Sequence, residues 1–312
     1  MLDEVAGALT FTAVGIVVAI CLGIAFPYAP LLPMAFQVAP YLIVSLIVIA
    51  VALFCVGRPV RAAIIAAAST GIAAYLLLLI LPAMAVTGQG AGERQLSLIS
   101  FNVLGTNPNG PEIARFLAGS DADVVAVLEA RPVYASLAAL EEIYPYKVGC
   151  ETAAKCDSLL LSRYPLSNIE VRSLSHFSPD RYIQAKLTVG GKEVTVVSVH
   201  MTKPYFDAAE EEEIAALIRE VRKIDVPLVV AGDFNAAPWS PPLQWLLNQT
   251  GLRFGSHLVA TWPVAFGSLG IPIDHILAGS GAQVADVSAL PDAFGSNHRG
   301  LMAKIAVPGD RK

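Results

Sequence analysis

The order of apolar and polar positions divides the chain into two unlike regions. Three apolar stretches come first: LTFTAVGIVVAICLGIAF at 9–26, LLPMAFQVAPYLIVSLIVIAVALFCVG at 31–57 and AAIIAAASTGIAAYLLLLILPAMAV at 62–86. A helix needs about 20 apolar residues to cross the hydrocarbon of a bilayer. The second and third stretches reach that length and the first comes close. They predict a membrane anchor over 1–87 with three transmembrane helices, at about 9–26, 34–57 and 62–86. Pro40 either kinks the second helix or marks its start. Uncharged runs this long and this close together are hard to house inside a water-soluble domain. A cleaved signal peptide accounts for the first stretch alone, and no Lys or Arg precedes it as such a peptide requires.

GQGAGE at 88–93 reads as a short linker, and from 94 to 312 the pattern changes. RQLSLISFNVL alternates and opens a domain as a strand. PEIARFLAGSDADVVAVLEA predicts a helix and then a buried strand that ends near Glu129. ASLAALEEI is a second helix, and DSLLLSRYPL contains another strand. YIQAKLTV and KEVTVVSVH pair across the Gly190-Gly191 turn. A charged helix from about Asp207 to Lys223 leads into the buried strand of PLVVAGDFN, and IDHILAG and HRGLMAKIAV supply two more. GTNPNG at 105–110 lacks both a Walker lysine and a dinucleotide fingerprint. The pattern is that of a mixed α/β domain.

Composition sharpens this division. Apolar residues make up 55% of the chain and charged residues only 15%, an imbalance unusual for a soluble protein. Residues 1–92 hold just four charges, Asp3, Glu4, Arg58 and Arg61. The net charge of −5 comes with no basic block, which argues against bulk binding of nucleic acid through its phosphates. Arg58 and Arg61 lie in the turn between the second and third stretches. Basic loops stay in the cytoplasm, so the C-terminal domain is expected on the extracytoplasmic side. Cys150 and Cys156 are the only cysteines of that domain. A disulfide suits them in an oxidising compartment; two unrelated thiols are the alternative.

Polar residues stand where apolar runs end. Asn102, Glu129, His200, Asp233 and Asn235 each close such a run; Asp274 and His275 interrupt one; Asn297 and His298 precede the last. One Asp or Asn after a strand is ordinarily a turn former, but this mix of carboxylate, amide and imidazole suits phosphate ester cleavage. Mg²⁺ or Mn²⁺ takes oxygen ligands, and Glu129 supplies one. A histidine held by a carboxylate moves protons or steadies charge on a phosphoryl oxygen. Neighbours on a strand point to opposite faces, so Asp274 is expected in the site and His275 outside it. Glu210 to Glu213 read as the solvated start of a helix.

SFNV, LEA, LLSRYPL, VHMTKP, GDFNAAPWS, PIDHIL and SNHRG, in this order over 95–307, resemble the endonuclease/exonuclease/phosphatase superfamily. The resemblance implies a DNase I-like four-layer sandwich of two mixed sheets flanked by helices. It implies metal binding by Asn102, Glu129 and Asn297, and phosphate contacts by His200, Asn235 and, from a looser match, Arg181. Asp233 and Asn235 resemble the pair that orients the attacking water and holds the phosphate. Asp274 resembles the carboxylate that supports the final histidine, His298. The water proton goes to Asp233 or to the His298–Asp274 pair. Asn297 departs from the family, which has Asp there. The expected activity is divalent-metal-dependent hydrolysis of a phosphate ester by a membrane-tethered domain of a bacterial inner membrane. Its substrate is a lipid headgroup, a small phosphate ester or nucleic acid, and its remaining partner is the bilayer. A catalytically weak ligand-binding module on the same fold is the alternative.

Overall fold

The computed structural model describes residues 1–29, 31–84, 94–177, 179–204 and 209–307. The expected linker at 88–93 and the end of the third apolar stretch lie outside them. The apolar front folds into α1 (Leu2–Ala25), α2 (Leu32–Gln37), α3 (Ala39–Cys55) and α4 (Pro59–Ile80), and a 3-10 turn extends α4 to Ala83. This corrects the three expected spans. Two helices, Leu2–Ala25 and Pro59–Ala83, are long and apolar enough to cross a membrane, and Ala39–Cys55 has only 17 residues. The second stretch is broken at Val38, with Pro40 in the first turn of α3. Proline lacks the N–H that a helix interior needs and clashes with the preceding turn, so it begins a helix rather than continuing one.

α1, α3 and α4 pack around Ala6, Ala13, Leu46, Leu53, Ala62 and Ile65. Their outer faces leave Phe11, Phe54, Ile64 and Leu78 between 64% and 81% exposed. Arg58 pairs with Asp3 at one end of this bundle. At the opposite end Ile20, Phe36, Ala39 and Leu76 pack against Ala237, Trp239, Ile271 and Ile273 of the second region.

That region holds two sheets. The first has the order β10 (Gln283–Ala289), β11 (Leu301–Val307), β1 (Arg94–Asn102), β2 (Val124–Leu128), β4 (Ser158–Ser162), β3 (Tyr146–Gly149). The second runs β5 (Ser167–Arg172), β6 (Tyr182–Val189), β7 (Lys192–His200), β8 (Leu228–Asp233), β9 (Asp274–Gly279). Alternation sets the layers. Leu96 and Leu98 of β1 face Val194 and Val196 of β7 across the inter-sheet core. Ile99 and Phe101 turn outward under α5 (Gly110–Gly119) and α6 (Leu137–Glu141). Val197 and Val199 turn outward under α7 (Ala209–Val221) and α8 (Pro241–Thr250). Two mixed sheets are thus covered by helices on both outer faces, as the family resemblance implies.

The start of α7 differs from expectation. Glu210 and Glu213 are buried rather than solvated. The Glu213 carboxylate accepts bonds from Ser175 Oγ at 2.6 Å, Thr202 N at 2.6 Å and Thr202 Oγ1 at 2.7 Å, which compensate its loss of water. Burial, with Glu213 alongside, pushes the Glu210 carboxyl up to about 8.

Candidate active site

β1 and β2 run parallel, as do β7 and β8, so the polar residues that end them share one rim. β9 runs antiparallel to β8, with Asp274 opposite Asp233. The expected residues therefore come together from both sheets, at the edge where the sheets meet.

Asn102 links the two sheets. Its Nδ2 donates to Glu129 Oε1 at 3.2 Å and to Asp233 Oδ2 at 3.0 Å. Glu129 Oε2 accepts the Gly105 N–H at 2.7 Å. Burial works to raise the Glu129 pKa, but the Gly105 N–H, the Asn102 amide and His200 outweigh it and hold the carboxyl below its ordinary range. Ser296 Oγ donates to the Asn102 carbonyl at 2.7 Å and accepts the His298 N–H at 3.1 Å, which fixes the last loop against β1.

His200 sits between two carboxylates. Its Nδ1 donates to Asp157 Oδ2 at 2.8 Å, and its Nε2 lies 4.0 Å from Asp233 Oδ2. A carboxylate only accepts, so the proton of that bond belongs to Nδ1. Arg181 donates to the other oxygen of Asp157 at 3.0 Å. Burial works to raise the Asp157 pKa, and the His200 and Arg181 contacts overcome it to give a lowered value. Asp157 was not singled out from the sequence, although it directly precedes the strand of DSLLLSRYPL, where an isolated carboxylate before a buried strand was the available signal.

Asp233 is fully buried. Its Oδ1 accepts the Asn235 N–H at 2.9 Å, and Asn235 Nδ2 donates to the Met201 carbonyl at 2.8 Å. Burial pushes the Asp233 carboxyl up, and Asp274 pushes it further, against the pull of His298 and His200. His298 Nδ1 meets Asp274 Oδ2 at 2.9 Å, and its Nε2 lies 3.8 Å from Asp233 Oδ2. Burial disfavours the His298 cation, but Asp274, then Asp233 and Glu129, more than offset that and raise its pKa to about 9. Adjacent His275 turns the other way, between Phe234 and Phe254, with Nε2 2.8 Å from the Ala236 carbonyl.

Asn297 stays out of this network. The residue is exposed, and its main-chain carbonyl accepts the Val264 N–H at 3.0 Å. Cys150 and Cys156 are joined in a disulfide beside the cleft. The cleft has a volume of about 670 Å³ and is lined by Glu129, Asp157, Arg181 and His200, with Arg131 and Lys203 also in its wall. Cationic side chains around such a cavity suit an anionic ligand.

The donor set also fits a hard divalent cation. Asp233, Asp274 and His298 offer ligand atoms within 4.8 Å of one another, all buried. Glu129 and Asp157 add two more carboxylates near them. Carboxylates gathered out of water call for compensating positive charge, and oxygen-rich sets of this kind favour Mg²⁺ or Mn²⁺ over softer metals.

Strand-end carboxylates, amides and imidazoles are thus drawn to one rim of two sheets. Residues 99–298 match the Endonuclease/Exonuclease/phosphatase family, and the chain belongs to it. A UPF0294 protein of Vibrio cholerae is 30% identical over 118 residues, a match that spans 37% of this chain and 41% of that relative. An endonuclease/exonuclease/phosphatase from Bacteroides vulgatus superposes with a TM-score of 0.57 at 18% identity, covering 69% of this chain and 99% of the other. A humanized TDP2 of D. rerio gives a TM-score of 0.53 at 16% identity, covering 68% and 99%. At these identities the two structures share the fold.

Proposed function

We propose that the chain is a membrane-tethered, divalent-metal-dependent phosphoric ester hydrolase. The observation that carries this reading is the meeting of His200, Asp233 and His298 around one carboxylate oxygen, Asp233 Oδ2, at 3.8 and 4.0 Å from the two imidazoles. Glu129 and Asn102 are the residues that would hold Mg²⁺ or Mn²⁺. Such an ion, when bound, supplies Lewis-acid stabilisation to phosphoryl oxygens.

The chain's own groups do the rest. Arg181 and the His200 Nε2 edge hold the phosphate in the cleft. Asp157 orients both through its two oxygens. Asn235 holds the turn on which Asp233 stands. Asp233 takes the proton of the attacking water, since burial raises its basicity toward the range in which a carboxylate works as a base. His298, protonated at neutral pH, steadies the negative charge that grows on phosphorus oxygens.

Exposed apolar faces on α1, α3 and α4 support contact with lipid. Arg58 and Arg61 belong to the bundle end away from the site, which supports an extracytoplasmic hydrolase domain, and so does the disulfide. On that face the substrate is a phosphate ester, and the net charge of −5 favours a lipid headgroup or small ester over long nucleic acid.

The test is a metal-by-substrate screen on the full chain in detergent. It compares sphingomyelin, inositol phosphates, bis-p-nitrophenyl phosphate, single-stranded DNA and plasmid DNA. Turnover should require Mg²⁺ or Mn²⁺, and His298→Ala should lower it about 10²- to 10⁴-fold. Near-normal turnover in that variant, or turnover unchanged by chelator, sinks the assignment.

A further inference from the structure

The turn that follows β8 is held from outside its own domain. Asn235 has φ 49°, a left-handed conformation that residues other than glycine keep when their surroundings fix it. Three successive main-chain groups there are bonded by side chains. Gln37 Nε2 donates to the Asn235 carbonyl at 3.1 Å, His275 Nε2 to the Ala236 carbonyl at 2.8 Å, and the Ala237 N–H donates to Gln37 Oε1 at 2.6 Å. Gln37 thus uses both ends of its amide on the turn, as a neighbouring strand residue would use its N–H and C=O.

Gln37 ends α2, the short helix in the apolar front. A polar side chain in such a segment is costly unless bonded, and both ends of this one are bonded to the catalytic turn. Its position is fixed by its neighbour. The Phe36 ring is buried at 1% exposure, and the Phe36 carbonyl accepts Trp239 Nε1 at 2.9 Å. The turn in turn sets two site groups. The Asn235 N–H donates to Asp233 Oδ1, and Asn235 Nδ2 donates to Met201 O.

We propose that Gln37 is a positioning residue that holds the Asp233–Ala237 turn in its working shape, so that the apolar front completes the active site as well as tethering it. This rests on the reading of that turn as catalytic. A site group displaced by a fraction of an ångström loses rate without loss of binding.

The experiment uses the full chain in detergent, with Gln37→Met as an isosteric side chain that neither donates nor accepts through nitrogen or oxygen. Hydrogen exchange at amides 235–237 should quicken in that variant and stay unchanged elsewhere. The kcat for bis-p-nitrophenyl phosphate should fall about tenfold while KM moves less than about twofold. Tyr41→Phe, which keeps the ring and removes the hydroxyl that donates to the Leu269 carbonyl, serves as a second variant. It loosens the docking of the apolar front through α3 but leaves the Gln37 amide in place, so its kcat should stay near wild type. Unchanged exchange at 235–237 in Gln37→Met overturns the proposal. So does a wild-type kcat in that variant, or an equal loss of kcat in Tyr41→Phe. If the wild-type chain cleaves none of the esters, the hydrolase reading falls, and the exchange comparison still decides whether Gln37 holds the turn.

Discussion

Asp274 and His275, neighbours on β9, meet opposite surroundings. The Asp274 carboxylate faces His298, and the His275 ring is enclosed by Phe234 and Phe254. The two histidines shift in opposite directions as a result. His298 is raised to about 9 from 6.5, and burial lowers His275 to about 4 from 6.5. The folded chain holds the His298 proton more tightly than the unfolded chain does. That contribution to stability is complete below about pH 6.5 and is lost as pH climbs through about 9. At His275 the unfolded chain takes up the proton first, so stability drains as pH falls from 6.5 toward 4. Thermal unfolding in chelator should show a maximum between these limbs, each worth roughly 3 kcal/mol at most. His298→Ala should flatten the alkaline limb and leave the acid limb. At this scale the site was legible where a polar residue ends an apolar run, as at Asn102, Glu129, His200, Asp233 and Asp274. Asp157 and Gln37 were not, because their meaning lies in partners 43 and 198 residues away.

The strands that sequence reveals are those with one face on the inter-sheet core and the other under a helix, or with long apolar runs. β3, β5 and β10 escaped. β3 has four residues, β5 is solvated on nearly every residue, and β10 carries a bulge between Val284 and Asp286 that breaks its alternation. The second apolar stretch misled for a related reason. Hydropathy registers how apolar a run is and is blind to the break at Val38. β8 contains a close backbone approach. Gly232 has φ 153°, and a Cβ there would run into the Val199 carbonyl of β7. Gly232→Ala should therefore push β7 and β8 apart and cost about 3 kcal/mol, read as a lowered unfolding midpoint in detergent. Because β7 ends in His200 and β8 in Asp233, that variant should lose activity even where it folds.

Across the whole molecule, the apolar front and the hydrolase domain are joined by more than the chain. Arg253 donates to the Pro82 carbonyl, the Phe254 N–H donates to the Ala83 carbonyl at 2.9 Å, and Tyr41 donates to the Leu269 carbonyl. The bundle end with Arg58 and the end with Trp239 should then lie on opposite sides of a membrane. A reporter active only outside the cytoplasm should be silent when inserted at Gly57 and active when fused after Lys312; the reverse pattern refutes the orientation. The fold class was legible because each sheet layer follows a short local period. The seam between front and domain was not, since it joins loops that look unremarkable one at a time. That seam also has an order in time. Ribosomes make Gln37 well before Asn235, which follows 198 residues later. The turn after β8 therefore meets a front that is already synthesised, and the rim residues Asp274 and His298 follow later still.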